Sequence, residues 1–285
     1  MMRSSRFILS SYRVHESSGG PRKFLLGNSG MVRYDGPRIR DTCMAILQSS
    51  IPAPFTVPAI PNRPVPPLEP GDRLTHAEFL KRYSRMRTNI KAERIEGIVH
   101  MAAAAAVSAD FHGRPHADIM GWLSVYRSLT PGVAAADNST LFLDIDNDPQ
   151  PDACLYILPS HGGRTKMTEE GYIEGSPELI VEIAASSVSF DLGAKLNAYR
   201  RNGVQEYIVH RTYDGEIDWF VLRDGQYEKQ PVDAEGLHRS EVFPGLWLHV
   251  QAMIEGKLAE ALAVLQRGLA SAEHGDFVKK LSQMI

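Results

Sequence analysis

Cysteine is nearly absent. Cys43 and Cys154 are the only two in 285 residues, far apart and of different character, so no disulfide framework is implied. A reducing cytoplasm is the compartment this usage fits. Long hydrophobic runs are missing too. No stretch approaches the ~20 apolar residues of a membrane-spanning helix, and the opening residues lack the apolar core of a signal peptide. There is no internal repeat and no glycine loop built to cradle phosphate. Basic excess is also lacking. The net charge is −3, whereas a chain whose main partner is bulk nucleic acid is usually more basic. The charge is uneven, however: residues 1–40 hold eight Lys or Arg and two acids, a net of +6 that leaves −9 for the remainder.

With 43% hydrophobic residues the chain can bury a substantial core, which suits one domain of moderate size plus extensions. Residues 1–50 are rich in Ser, Arg and Gly with only short apolar pieces, and are expected to be disordered. A phosphate-contacting arm, a targeting segment and a non-native extension all remain open for them. Residues 51–71, IPAPFTVPAIPNRPVPPLEPG, place proline at nearly every third position, which fixes φ and removes donors. They read as an extended spacer, or as a PxxP-type docking segment. The domain is expected over 72–250. After it, Ile254, Leu258, Leu262, Leu265 and Leu269 form the stripe of an amphipathic helix within 251–285, which packs on the domain or on a twin subunit in a homodimer.

Inside the domain, Thr75 reads as the N-cap of a helix over 77–86. Residues 91–101 read as one strand, with Glu93 and Glu96 pointing oppositely, so that only one of them readily faces a site; Glu93 is preferred. Pro115 reads as the start of a helix to about 129, which leaves His112 off it and weakens a zinc reading of the His112/His116 spacing. The acidic loop DIDNDPQPD lacks the glycine and terminal glutamate of a calcium loop and reads as a solvated turn after a strand over 139–145. Residues 159–177 read as a polar loop whose Arg164 and Lys166 are available to DNA or simply to solvent.

The chemistry concentrates between Pro149 and Tyr199. Alternation makes 152–158 a strand with Asp152 at its mouth, since Pro149 and Pro151 keep the approach extended. Residues 178–184 are apolar on both faces apart from Glu178 and Glu182, as in a central strand. An ionised Glu182 there costs several kcal/mol unless a cation or hydrogen-bond donors compensate it. A divalent metal shared with Asp152, and the ammonium of Lys195 on the helix over 190–202, are the available compensators. Carboxylate oxygens without thiolates suit Mg²⁺ or Mn²⁺. Such a site can lower the pKa of a bound water and stabilise charge on a phosphate oxygen. A purely structural reading stays open: Asp191 and Lys195 as a surface ion pair, Asp152 as a turn cap, Glu182 as a partner of a neighbouring strand.

The order of these pieces resembles the Uma-two family of endonucleases, a branch of the PD-(D/E)XK nuclease superfamily. The residues that carry the resemblance are Pro151, Asp152, Glu182, Asp191, Lys195, Tyr199, Gly203, Val204, Glu206 and Tyr207. Upstream, Glu93, Glu96 and Gly97 match the family's early E-x-x-(D/E)-G strand, and His116 matches the histidine that begins its next helix. The resemblance implies an α/β (α+β) restriction-endonuclease-like fold, a mixed sheet flanked by helices. It implies a divalent-metal site of Asp152 and Glu182 with Glu93 assisting. Asp191, Tyr199, His116 and Glu96 would support it, and the substrate implied is DNA, duplex first. The superfamily's lysine usually lies two residues after the strand acid. That position is Ala184 here, so the role passes to Lys195, which would orient or activate the attacking water. Ala185 and Ile98 also depart from the family pattern. Two other functions fit the same residues: a nuclease-like module that binds without cutting, and a hydrolase of another phosphodiester.

Overall fold

The computed structural model describes residues 64–86, 90–101 and 108–284. The expected basic extension, most of the proline-rich spacer, Cys43 and the alanine run 102–106 lie outside the described residues. The first helix, α1 (His76–Tyr83), is capped by Thr75, whose hydroxyl accepts the Glu78 N–H at 3.3 Å, and it buries Phe79. The stretch expected as one strand is a hairpin instead: β1 (Ala92–Ile95) pairs antiparallel with β2 (Ile98–Met101). Glu96 at φ 55° and Gly97 at φ 73° make the turn. Two successive positive-φ residues give the tight turn that suits hairpin twist, but Asn-Gly or Asp-Gly usually announces it. Glu-Gly carries that signal weakly.

The next helix, α2 (Arg114–Ser128), starts earlier than Pro115 implies. It is entered through a wide turn, Ala109–Gly113, in which the Arg114 N–H reaches back five residues to the Ala109 carbonyl. Ser108 caps that turn, so His112 belongs to the helical run after all. Strands β3 (Val133–Asp137), β4 (Leu141–Phe142), β5 (Ala153–Ile157), β6 (Lys166–Met167), β7 (Ile173–Glu174) and β8 (Leu179–Ala184) follow. A short turn (Val188–Phe190) and a second wide turn (Asp191–Lys195) then lead into α3 (Leu196–Arg201). Gly203, at φ 73°, stops this helix. Next come β9 (Glu206–Arg211), β10 (Glu216–Arg223), β11 (Gln226–Lys229), β12 (Leu237–Arg239) and β13 (Trp247–His249). Three helices close the chain where one was expected: α4 (Val250–Ile254), α5 (Leu258–Leu269) and α6 (Ala272–Ser282).

The main sheet has the order β11-β10-β9-β8-β5-β3. Its β8–β9 pair is parallel, joined through α3, and every other pair is antiparallel. Since side chains alternate along a strand, the sheet builds two cores. Leu155, Val181, Ile183, Ile208 and Trp219 meet Trp122 and Tyr126 of α2 together with Ala261, Leu265 and Leu281 of the closing helices. The apolar stripe of α5 is thus used within the domain. Gly268 fits there because a Cβ on it would stand 2.2 Å from the Gly245 carbonyl oxygen. On the other face, Cys154, Tyr156, Ile180, Ala184 and Val209 meet Tyr199 and Tyr207. Each fully buried Leu, Ile or Val contributes about 1.5–3 kcal/mol to these cores.

The hairpin β1–β2 stands outside the main sheet and is locked to the acidic loop. The Arg94 Nε donates to Asp148 Oδ2 at 2.7 Å, and the two backbones exchange hydrogen bonds at 3.1 and 2.7 Å. Asp148 is fully buried and also meets His76 Nδ1 at 2.7 Å. The expectation of a solvated turn is therefore wrong for Asp148, whose partner lies 54 residues away in sequence. Asp144 and Asp146 do form a turn: the Asp146 N–H donates to Asp144 Oδ1.

Candidate active site

In the register of β5 on β8, Ala153 lies opposite Val181, so the residue before the one and the residue after the other, Asp152 and Glu182, face each other across the pair. Asp152 Oδ2 accepts the Ile183 N–H at 2.7 Å. Its other oxygen lies 3.3 Å from Lys91 Nζ and 3.9 Å from His112 Nε2. Burial works to raise the Asp152 carboxyl, but Lys91, the Ile183 N–H, His112 and Lys195 together hold it below the ordinary aspartate value.

Glu182 is buried on the second face of the sheet, where α3 and its entry turn close over it. Its Oε1 accepts from Lys195 Nζ at 2.9 Å and from the Tyr199 hydroxyl at 2.8 Å. The hydrogen bonds it accepts among the described residues fall on this one oxygen. The wide turn Asp191–Lys195 makes the contact possible: it inserts a five-residue step into the helix and buries both Asp191 and Lys195. Turns of this kind recur at functional sites because they re-aim side chains that a regular helix would send elsewhere. The Tyr207 hydroxyl donates to the Asp191 carbonyl at 3.0 Å, and Ser187 donates to Asp191 Oδ2 at 2.5 Å. A surface ion pair between Asp191 and Lys195 is excluded by this burial.

Glu93 enters from the separate hairpin. Its Oε1 accepts the Gln150 N–H at 2.6 Å and meets Lys195 Nζ at 2.9 Å. Glu96 goes elsewhere: it sits in the hairpin turn and pairs on the surface with Arg201. His116 Nε2 donates to the Asp152 carbonyl oxygen, 3.0 Å away, with Asp137 Oδ1 at 3.1 Å. Both of those oxygens are acceptors, so Nε2 carries a proton. Arg164 is turned to the Gly203 carbonyl and Glu178, while Lys166 lies exposed on β6.

Three neighbours of the site carry weak sequence signals. Lys91 and His112 lie beside Asp152, and His100 sits opposite Glu93 in the hairpin with its ring 4.3 Å from that of Phe190. His100 becomes legible only once the Glu96-Gly97 turn is recognised. The spacing of His112 to His116 was the available sign of the helical run.

Three carboxylates, Glu93, Glu182 and Asp191, thus stand within 3.7 Å of one buried ammonium, with Asp152 beyond them. Burial pushes Glu182 up to about 8; Lys195 opposes this, while Asp191, Asp152 and Glu93 add to it. Burial likewise raises Asp191 despite Lys195. Lys195 itself loses hydration by burial, yet Glu182, Glu93 and Asp191 overcome that cost and hold it firmly as an ammonium. The charge is unbalanced towards the negative, and a proton or a further cation can restore it. Among the described residues no three His, Cys, Asp or Glu side chains already converge as a finished metal cage. No helix among the described residues is long and apolar enough to cross a membrane.

Residues 76–251, more than half of the chain, match the family Uma2, described as "Putative restriction endonuclease". Among solved structures, a putative nuclease belonging to DUF820 from Anabaena variabilis ATCC 29413 is similar at 14% identity and a TM-score of 0.49, over 64% of this chain and 98% of that one. No curated protein matches the sequence.

Proposed function

Because the chain belongs to the Uma2 family, described as "Putative restriction endonuclease", we propose that it is a divalent-metal-dependent endonuclease hydrolysing phosphodiester bonds of DNA. The observation that carries the reading is the buried excess of carboxylates, with Asp152 and Glu182 opposed across adjacent strands at its centre. The donor set fits the group implied. It offers hard oxygens and no thiolate, as Mg²⁺ or Mn²⁺ requires, and it is short of positive charge. Asp152 and Glu182 would hold the cation, with Glu93 assisting. A bound Mg²⁺ or Mn²⁺ supplies a water of lowered pKa and a counter-charge for a phosphate oxygen.

The protein's own groups have separable tasks in this reading. The Ile183 N–H fixes Asp152 by one oxygen. Tyr199 and Lys195 fix Glu182 by one oxygen and leave Oε2 for other partners. Lys195 is an ammonium between carboxylates, so it neutralises and orients but does not take a proton from water. Asp191 anchors the turn that presents it. Binding of Mn²⁺, followed by calorimetry, tests the reading without any assumption about substrate. Binding that Asp152→Ala and Glu182→Ala each remove, together with cleavage of duplex DNA that the same substitutions abolish, is the expected result. A parent protein that takes up no cation with or without DNA would overturn it and leave a nuclease-like module that binds without cutting.

A further inference from the structure

Beside Asp152 lies an imidazole that the two-carboxylate reading does not use. His112 Nδ1 is 3.2 Å from the Ile183 carbonyl oxygen. A carbonyl oxygen only accepts, so Nδ1 carries a proton, which leaves Nε2 as the ring atom that can share a proton or a cation with Asp152. That Nε2 stands 3.9 Å from Asp152 Oδ1, too far for a hydrogen bond. Ile183 therefore orients both groups through its main chain: its N–H holds Asp152 Oδ2, and its carbonyl holds His112 Nδ1. What remains is one carboxylate oxygen, which also accepts from Lys91 Nζ at 3.3 Å, and one imidazole nitrogen close to it. A lone pair beside an anion is unfavourable unless a proton or cation is shared between them.

The separation suits a cation. Ions of this size bond imidazole nitrogen and carboxylate oxygen at about 2.0–2.2 Å, so a single ion can reach both atoms across the 3.9 Å gap. Histidines that ligate metals commonly donate their other ring N–H to a backbone carbonyl, as His112 does to Ile183. His116 differs, since its Nε2 is committed as a donor to the Asp152 carbonyl. Lys91 Nζ, 3.3 Å from the same Asp152 oxygen, is the ammonium that an ion would displace; its side chain is 31% exposed, against 4% for Lys195.

We propose that His112 is a nitrogen ligand of the divalent cation held at Asp152. The proposal rests on the cation-dependent reading above and sharpens it by naming the cation class. A nitrogen ligand favours Mn²⁺ and the later first-row ions over Mg²⁺, which is satisfied by oxygen.

The test is pulsed electron paramagnetic resonance of the full chain loaded with Mn²⁺, with calorimetry of Mn²⁺ and of Mg²⁺ alongside. The expected result is a ¹⁴N modulation from directly bound imidazole in the parent, retained in His116→Ala and lost in His112→Ala. His112→Ala should also weaken Mn²⁺ binding by at least about tenfold while changing Mg²⁺ binding much less. Circular dichroism checks that each variant is folded, and His112→Gln serves if the alanine variant is not. The parent spectrum decides independently of any variant: bound Mn²⁺ that is lost in Asp152→Ala but shows no nitrogen coupling overturns this assignment and leaves the carboxylate site standing. Coupling that survives His112→Ala overturns it as well. A parent that binds no cation defeats the carboxylate reading itself, and this one with it.

Discussion

Two clusters of buried charge meet β1 at adjacent residues, Glu93 and Arg94, which point to opposite faces of the strand, and they are built on opposite principles. Arg94 meets Asp148 with a 2.7 Å hydrogen bond, reinforced by backbone bonds and by donors to the Leu74 and Ile145 carbonyls at 3.2 and 2.9 Å. All three of its nitrogens donate, and its charge is matched. Lys195, by contrast, sits among Glu93, Glu182 and Asp191 with Asp152 beyond, so acids outnumber the ammonium. Desolvating a matched pair gives a rigid joint, whereas desolvating an unmatched set leaves a standing demand for positive charge. The first arrangement is scaffold. The second is the kind of tuned environment in which function tends to be found.

The comparison breaks most visibly if the scaffold pair proves dispensable. Asp148→Ala leaves the Arg94 guanidinium buried and unmatched, and should cost about 3–5 kcal/mol in denaturant unfolding. A loss below about 1 kcal/mol would mean that the two clusters are not different in kind. Next in size is the response to cation. Mn²⁺ at one hundred times its dissociation constant should stabilise the parent by about 2.7 kcal/mol, seen as a higher Tm, and should leave Asp152→Ala unmoved.

A smaller effect concerns the metal-free protein. Glu182 ionises in the unfolded chain near its ordinary 4.5 but is pushed up to about 8 by burial when folded. The folded state therefore keeps a proton that the unfolded state releases. Its stabilising contribution is full below pH 4.5 and is lost as pH rises towards 8. Glu182→Gln should flatten that decline and stabilise the metal-free protein near neutral pH by on the order of 1 kcal/mol, while removing cation binding. Thermal unfolding across pH distinguishes this from a plain packing defect, which would lower stability at every pH. Smallest of all is Glu96→Ala, which breaks an exposed pair with Arg201. Unchanged Tm and unchanged cleavage are expected, and any large change would bring Glu96 back into the site.

Local pattern made part of this legible in the sequence. Alternation around Asp152 and the apolar run around Glu182 follow from neighbours two residues apart, and they located β5 and β8 within a residue or two. Features set by distant partners were not legible. Asp148 looked like a loop acid because nothing nearby in sequence points to Arg94. The wide turns at Ala109–Gly113 and Asp191–Lys195 depend on hydrogen bonds that slip by one residue, a shift that side-chain periodicity hardly registers. The hairpin at Glu96-Gly97 hid behind an alternation that reads equally well as one continuous strand. Of the residues gathered around Lys195, those on the central strand and its following helix were found by pattern and resemblance. Lys91, His100 and His112 arrive by tertiary contact.

The atoms that aim Asp152 and His112 belong to the main chain of Ile183, not to its side chain. Its N–H and carbonyl are common to every amino acid but proline, so exchanging Ile183 for Val or Leu leaves the aiming device intact while altering only the core behind it. Drift at this position is thus insulated from the placement of the two side chains, and a sequence profile would register only a greasy, interchangeable residue where their geometry is decided.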